Sequence, residues 1–121
     1  MIIEAKQVEI YETGDGKIPY EQWFDSLRDS MTRDRIKARI ARLRLGSLGE
    51  CKPVGEGVTE LILNFGPGYR IYIGQVGTTI VVLLCGGDKS TQEADIKAAQ
   101  RYWADFKAIL GKEKPHYGAA N

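Results

Sequence analysis

The chain has 121 residues, a length that suits one domain with one hydrophobic core. Its 43% apolar and 27% charged residues are typical of a globular protein and argue against a disordered chain. The longest apolar run, Ile80 to Cys85, is far shorter than the roughly 20 residues of a membrane span. Glu4 and Lys6 interrupt the region where a secretory signal would be apolar, so we expect a cytoplasmic protein.

The first half of the chain predicts one strand followed by two helices. The alternation from Ile2 to Tyr11 indicates a strand, and Gly14-Asp15-Gly16 predicts the turn that ends it. Pro19 favours the first turn of a helix that we expect to run to about Asp29. Its predicted apolar stripe consists of Trp23, Phe24 and Leu27.

The second predicted helix separates charge from apolar surface. A cap at Ser30 or Thr32 is followed by apolar residues at helical spacing (Ile36, Ile40 and Leu43), and Gly46 marks the end. Residues 33–44 contain six bases and one acid, whereas residues 1–32 contain seven acids and three bases. This basic helix is equally typical of a solvated face and of a surface that binds RNA or a protein partner.

The second half of the chain predicts a loop, three strands and a helix. We expect a loop over residues 46–57 and strands over residues 58–65, 69–75 and 78–85, with turns at Gly66-Pro67-Gly68 and Gly77. Gly86-Gly87-Asp88-Lys89 would close the last strand. Ser90 and Glu93 form a capping box that opens a helix with a long apolar stripe.

This order of elements predicts an α+β fold, β-α-α-β-β-β-α. We expect the helical pair to pack on one face of a small, mostly antiparallel four-stranded sheet. Residues 1–110 would form a single domain, and residues 111–121, which lack periodicity, a flexible C-terminal tail.

Several kinds of site can be set aside from the residue inventory. The single histidine, His116, lies in the predicted tail, which argues against a histidine-based triad. No spacing of His, Cys and Asp suits a metal, and the glycine-rich turns lack a nucleotide-binding context, so we expect neither a metal nor a cofactor. Cys51 and Cys85 do not form a CxxC pair and are predicted to be reduced thiols.

A polar row on one face of the predicted hairpin is the candidate site. Glu60, Arg70 and Tyr72 alternate with apolar residues, and Lys89 follows the next strand. Arginine and lysine together suit a phosphodiester, and a tyrosine ring can stack on an unpaired base. The alternative is a solvated strand salt bridge with no function, which a pattern of this kind indicates at least as often.

Longer strings resemble a known family. They are Glu60-Leu61, GPGYRIY from Gly66, GGDKSTQEADI from Gly86, and Tyr102-Trp103 with the preceding alanines. Together they resemble the RelE/ParE superfamily of toxin–antitoxin toxins, in particular its phage-derived, HigB-like branch of addiction-module killer proteins. The resemblance extends from the first strand through Phe106 and implies a RelE-like fold.

The resemblance implies a metal-independent endoribonuclease that cleaves messenger RNA on the ribosome and so inhibits translation. The implied partners are mRNA, the ribosome and an antitoxin, usually a helix-turn-helix protein through which the toxin meets DNA only indirectly; no membrane is involved. We expect the catalytic residues to be Arg70, Lys89 and Glu60. We expect the RNA-binding residues to be Tyr72, Lys52, Gln92, Arg39 and Arg42.

Two alternatives from other classes stay open. The first is a gyrase-inhibiting toxin of the ParE type on the same fold, without nuclease activity. The second is an inactive module that binds only an antitoxin or a phage component. A departure from the family pattern favours this second alternative: relatives commonly read Glu-Leu-Arg where this chain reads Glu60-Leu61-Ile62, so an expected cation is replaced by an apolar residue.

Overall fold

A computed structural model describes residues 5–112, which form three α-helices and a five-stranded sheet. The elements are β1 (Gln7–Ile10), α1 (Pro19–Ser26), α2 (Ser30–Arg44), β2 (Cys51–Pro53), β3 (Thr59–Leu63), β4 (Tyr69–Val76), β5 (Ile80–Asp88), a 3-10 turn (Lys89–Thr91) and α3 (Gln92–Lys112). The start of the predicted first strand and most of the predicted tail, including His116, lie outside the described residues. Within residues 5–112 no helix combines the length and apolar character needed to cross a membrane.

The sheet is mixed, with the strand order β1-β5-β4-β3-β2. Strand β1 runs parallel to β5, and every other neighbouring pair is antiparallel. The predicted α+β class is confirmed, but the prediction of four strands is wrong, because β2 adds an edge strand inside the predicted loop. It has three residues, one of them Pro53, which an edge strand tolerates since half of its backbone groups face away from the sheet.

The helix boundaries differ from the prediction because Asp29, which was expected to end α1, instead caps α2. Helix α1 ends at Ser26, and Asp29 caps α2 by accepting a hydrogen bond of 3.0 Å from the backbone N–H of Thr32. The hydrogen bonds to Thr32 hold the pKa of Asp29 below its ordinary value. Neither Ser30 nor Thr32 is the cap, since a carboxylate next to an N-terminus also complements the helix dipole.

Strand β5 is longer than predicted and changes how the last helix begins. Gly86 and Gly87 remain paired with β4, and Asp88 both ends the strand and caps the 3-10 turn through a capping box with Thr91. The predicted box of Ser90 and Glu93 is therefore wrong. Helix α3 continues to Lys112, so the first two residues of the predicted tail are helical.

Helices cover both faces of the sheet. The face under α1 and α2, here the two-helix face, is lined by Leu61, Leu63, Ile71, Ile73, Val81 and Leu83, which pack against Tyr20, Ile36, Ile40 and Leu43. The face under α3, here the one-helix face, is lined by Tyr72, Val82, Leu84 and Cys85, which pack against Tyr11, Val58, Ala99 and Trp103. The predicted packing of the helical pair on one face is confirmed.

On each face one tryptophan lies directly on a glycine of a central strand. A methyl group on Gly86 would come within 2.2 Å of the Trp23 ring on the two-helix face. One on Gly74 would come within 2.3 Å of the Trp103 ring on the one-helix face. Both contacts are shorter than any carbon pair allows, so these two positions require glycine and fix how closely α1 and α3 approach the sheet.

Candidate functional site

Strand pairing brings the predicted polar row together on the one-helix face. Glu60 pairs with Tyr72 across β3 and β4, Lys52 of β2 pairs with Glu60, and Arg70 stands opposite Ile62. A β-bulge between β4 and β5 inserts one residue, so that Gly87 lies opposite Arg70. That register places Lys89 immediately beyond the end of β5, next to the hairpin turn.

Glu60 lies at the centre of the row and is fully buried, with 0% of its surface exposed. Its Oε2 accepts hydrogen bonds from the Tyr72 hydroxyl at 3.1 Å and from Gln92 Nε2 at 2.9 Å. Its Oε1 lies 3.6 Å from Arg70 Nε and 3.9 Å from Lys52 Nζ. A buried carboxylate is costly unless it is paired in this way, so the arrangement favours cations beside it.

Tyr72 is 0% exposed, because α3 covers the face to which its ring belongs. Burial and the neighbouring Glu60 carboxylate raise the pKa of its hydroxyl far above the ordinary value, so the hydroxyl remains a hydrogen-bond donor. A ring without exposed surface is not accessible to a nucleotide base. The structure therefore contradicts the predicted RNA-stacking role of Tyr72.

Arg70 is held in place by the hairpin turn and by the buried acid. Its Nη1 donates to the backbone carbonyls of Gly68 at 3.1 Å and of Tyr69 at 3.2 Å, and 12% of its side chain is exposed. Its Nε and Glu60 Oε1 lack hydrogen-bond partners among the described residues, so charge attraction alone joins them. The guanidinium is thus oriented in advance, and the exposed part faces a surface depression.

Lys89 lies on the rim of the same depression, which has a volume of about 360 Å³. Gly68 lies next to both Arg70 and Lys89, and its φ of 80° is in the left-handed region that the tight turn requires. A Cβ on Gly68 would lie 3.5 Å from both Arg70 Nη1 and Lys89 Cβ, so both residues flank one glycine. Two cations beside an exposed backbone turn form a site for an anion such as a phosphate.

Arg39 does not line this depression, and its burial argues against the predicted RNA-binding role. It is 5% exposed and donates to the backbone carbonyls of Leu48 (3.0 Å), Glu50 (2.6 Å) and Ile62 (2.8 Å). These carbonyls lie where the chain enters β2 and leaves β3, so Arg39 fixes that edge of the sheet. The spacing of three from Ile36 and four to Leu43 already placed Arg39 on the buried side of the helix.

The other predicted residues fall into two groups. Lys52 and Gln92 contact Glu60 and therefore support the polar row. Arg42 lies exposed on α2, away from that row. Sequence reasoning missed Asn64 and Phe65, which line the depression together with the turn. Their positions just before the glycine-rich turn were the available signal.

Two other chemistries find little support among the described residues. No three side chains of His, Cys, Asp or Glu within residues 5–112 come together as a metal-binding group. Cys51 and Cys85 are unpaired thiols, and burial raises the pKa of Cys85 to about 12. A thiol with that pKa is protonated at neutral pH and a poor nucleophile.

Fold and site together define a small α+β protein in which an arginine and a lysine flank a β-hairpin turn above a buried glutamate. An uncharacterized protein of Haemophilus influenzae is 42% identical to this chain over 83 residues, which cover 69% of this chain and 84% of that relative. The chain belongs to the same family as this Haemophilus protein. No family model matches the chain. No solved structure matches it either.

Proposed function

We propose that the protein is a toxin of the RelE/ParE superfamily that acts as a metal-independent endoribonuclease on messenger RNA. The observation that supports this function is that Arg70 and Lys89 line one depression and both lie next to Gly68. Two cations so placed can hold one phosphodiester of a single strand between them. The sequence strings that resemble the superfamily include both cations.

RNA supplies its own nucleophile in the proposed reaction. The 2′-oxygen attacks the adjacent phosphorus, the bond to the 5′-oxygen breaks, and a 2′,3′-cyclic phosphate forms. The 2′-hydroxyl proton passes to water, and the ammonium of Lys89 supplies a proton to the departing 5′-oxygen. Arg70 binds the phosphate oxygens and stabilises the charge that develops on them. Its side chain does not have to move to do so, because two hydrogen bonds to the hairpin turn already orient it.

Glu60 has a positioning role in this proposal rather than the role of general base. A side chain with 0% exposure cannot touch the substrate hydroxyl, whereas its Oε1 faces Arg70 Nε. Tyr72 and Gln92 hold the carboxylate from the opposite side by hydrogen bonds to Oε2. Lys52, which is 56% exposed, adds a third cation at the margin of the site.

The proposed setting is the translating ribosome. One partly exposed arginine and one lysine give little affinity for a free strand, so we expect the ribosome to position the mRNA. A cognate antitoxin, for which a helix-turn-helix protein is the expected form, would hold the toxin inactive by covering the depression. Cytoplasmic location follows from this function and is part of the proposal.

The test is the Arg70→Ala variant, induced in cells and also purified for cleavage of labelled RNA with and without translating ribosomes. Loss of the guanidinium should lower the cleavage rate about 10²- to 10³-fold and abolish growth arrest. The exposed Arg101→Ala variant on α3 removes the same charge elsewhere and should cleave normally. Thermal unfolding of both variants checks that the fold is intact.

Full toxicity and full cleavage by Arg70→Ala would overturn the proposal. Growth arrest with intact transcripts and a DNA-damage response would instead identify the gyrase-inhibiting alternative. If the wild-type protein binds an antitoxin but neither slows growth nor cleaves RNA, it is the inactive module that Ile62 suggests.

A further inference from the structure

A second depression adjoins the site and remains unexplained by the proposed reaction. It has a volume of about 500 Å³ and lies between α2 and the ends of β2 and β3; we call it the α2 groove. Asn64 and Phe65 line both the α2 groove and the depression that holds Arg70 and Lys89. The two depressions therefore lie next to each other where β3 ends.

The α2 groove is basic on the side formed by α2. Arg35 and Arg42 are two helical turns apart, so they lie on the same side of α2, and both are exposed. The guanidinium of Arg35 lies over the Phe65 ring, 4.9 Å from its centroid. Arginine stacked in this manner keeps its N–H groups available in the plane of the guanidinium, where they can bind a phosphate.

The opposite side of the groove carries hydrogen-bond acceptors. Asn64 Nδ2 donates to Glu50 Oε1 at 2.6 Å, which orients the carboxylate. Among residues 5–112, Glu50 Oε2 and Asn64 Oδ1 then remain as acceptors. A carboxylate accepts well from the exocyclic amino group of a base such as cytosine, whereas uracil has no amino group.

We propose that the α2 groove binds the nucleotide next to the scissile phosphate on the same RNA strand. Its phosphate lies on Arg35 and Arg42, and its base presents an amino group to Glu50. This inference rests on the proposed function and extends it to substrate selection. An acidic peptide is the competing occupant, and Glu50 disfavours it because a carboxylate inside the groove repels acidic side chains.

The experiment measures binding of fluorescent 2′-fluoro oligonucleotides, which lack the attacking hydroxyl and cannot be cleaved. The wild-type protein should bind hexacytidylate more tightly than dicytidylate. The Arg35→Ala/Arg42→Ala double variant should lose most of that difference, about tenfold, with a smaller salt dependence and unchanged dinucleotide affinity. A Lys97→Ala/Arg101→Ala double variant on exposed positions of α3 is the charge-matched control and should bind like the wild type.

Glu50 gives the sharper measurement, because it predicts a choice between two pyrimidines of equal size. Hexacytidylate should bind about fivefold more tightly than hexauridylate, as one charge-assisted hydrogen bond allows. Glu50→Gln should abolish this preference, and Glu56→Gln, an exposed acid outside the groove, should preserve it. Circular dichroism and thermal unfolding verify that each variant is folded.

The outcomes separate this inference from the proposed function. Cleavage that depends on Arg70, together with unchanged hexanucleotide binding in the double variant, would overturn the α2 groove alone. Absence of both cleavage and oligonucleotide binding in the wild-type protein would overturn both proposals. Displacement of bound RNA by a polyglutamate peptide, abolished in the Arg35→Ala/Arg42→Ala variant, would assign the groove to an acidic protein partner.

Discussion

The two faces of the sheet are built on different principles. On the two-helix face, the buried sheet residues are apolar and meet apolar residues of α1 and α2. On the one-helix face, the sheet buries a carboxylate, and Tyr72 and Gln92 donate hydrogen bonds to it. The first face contributes packing alone, whereas the second, besides its own packing, orients Arg70 and buries a charge to do so.

The largest loss of stability should come from a substitution on the two-helix face. Leu61 is 0% exposed, and Leu61→Ala should lower the free energy of unfolding by about 2–5 kcal/mol because it removes contacts and leaves a cavity. Chemical denaturation measures the loss, and RNA cleavage per folded molecule should remain unchanged. Ile109→Ala, at a position that is 41% exposed, is the control and should cost far less.

Substitution of either glycine that lies under a tryptophan should lower the free energy of unfolding nearly as much. Gly86→Ala and Gly74→Ala force a methyl group into the Trp23 and Trp103 rings respectively, and each should cost about 1–3 kcal/mol. Denaturation of both variants compares the two faces directly. A cost at Gly86 without one at Gly74 would mean that α3 can move away from the sheet, contrary to the close contact of Trp103 with β4.

Tyr72→Phe should lower the free energy of unfolding by about 1 kcal/mol near pH 7, because Glu60 loses a donor. Burial raises the pKa of Tyr72 in the folded state, so the unfolded chain releases that proton first as the pH rises. The stability from this group is therefore complete below about pH 10, the ordinary pKa of tyrosine, and is lost above it. The variant should show a shallower alkaline decrease in denaturation experiments.

Tyr20→Phe is the matched test on the two-helix face. Burial raises the pKa of Tyr20 to about 12, so this variant should also lessen the alkaline decrease. Its hydroxyl has no hydrogen-bond partner among residues 5–112, and the cost near pH 7 should accordingly be smaller than for Tyr72→Phe. Equal costs for the two variants would argue against a specific contribution of the buried acid.

The smallest effects should come from exposed ion pairs. Lys52→Ala should change stability by less than about 1 kcal/mol, since its ammonium is mostly solvated although its partner is buried. Lys97→Ala removes a solvent-exposed pair with Glu93 and should produce no measurable change. A large loss for Lys52→Ala would show that β2 depends on this contact.

Local patterns predicted most of the fold because polar and apolar residues alternate along each strand of the hairpin. The alternation alone assigns Leu61 and Ile71 to one face and Glu60 to the other, as the strand register confirms. Strand β2 could not be found in this way, because three residues that include Pro53 are too few to show a period. Arg39 supports this pairing by donating to the carbonyl of Glu50, just before β2, and to that of Ile62 in β3, a contact between distant parts of the chain.

The sequence predicted which residues form the candidate site, but it did not predict how deeply they are buried. Alternation placed Glu60 and Tyr72 together, yet their exposure depends on α3, and a helical stripe does not reveal which sheet face it will cover. Trp103 and Ala99 cover the one-helix face, so Glu60, predicted to be catalytic, and Tyr72, predicted to stack on RNA, are buried supports instead. Helix α3 does not bury Lys89 and the exposed part of Arg70, because they lie at the hairpin turn.

The parallel pairing of β1 with β5 has a consequence for synthesis. Gln7 is made before its partner, Ile80, and before the catalytic candidate Lys89. The sheet therefore cannot close on a nascent chain until β5 has left the ribosome. Under the proposed function, the nascent chain stays inactive until that strand and the turn after it have been made.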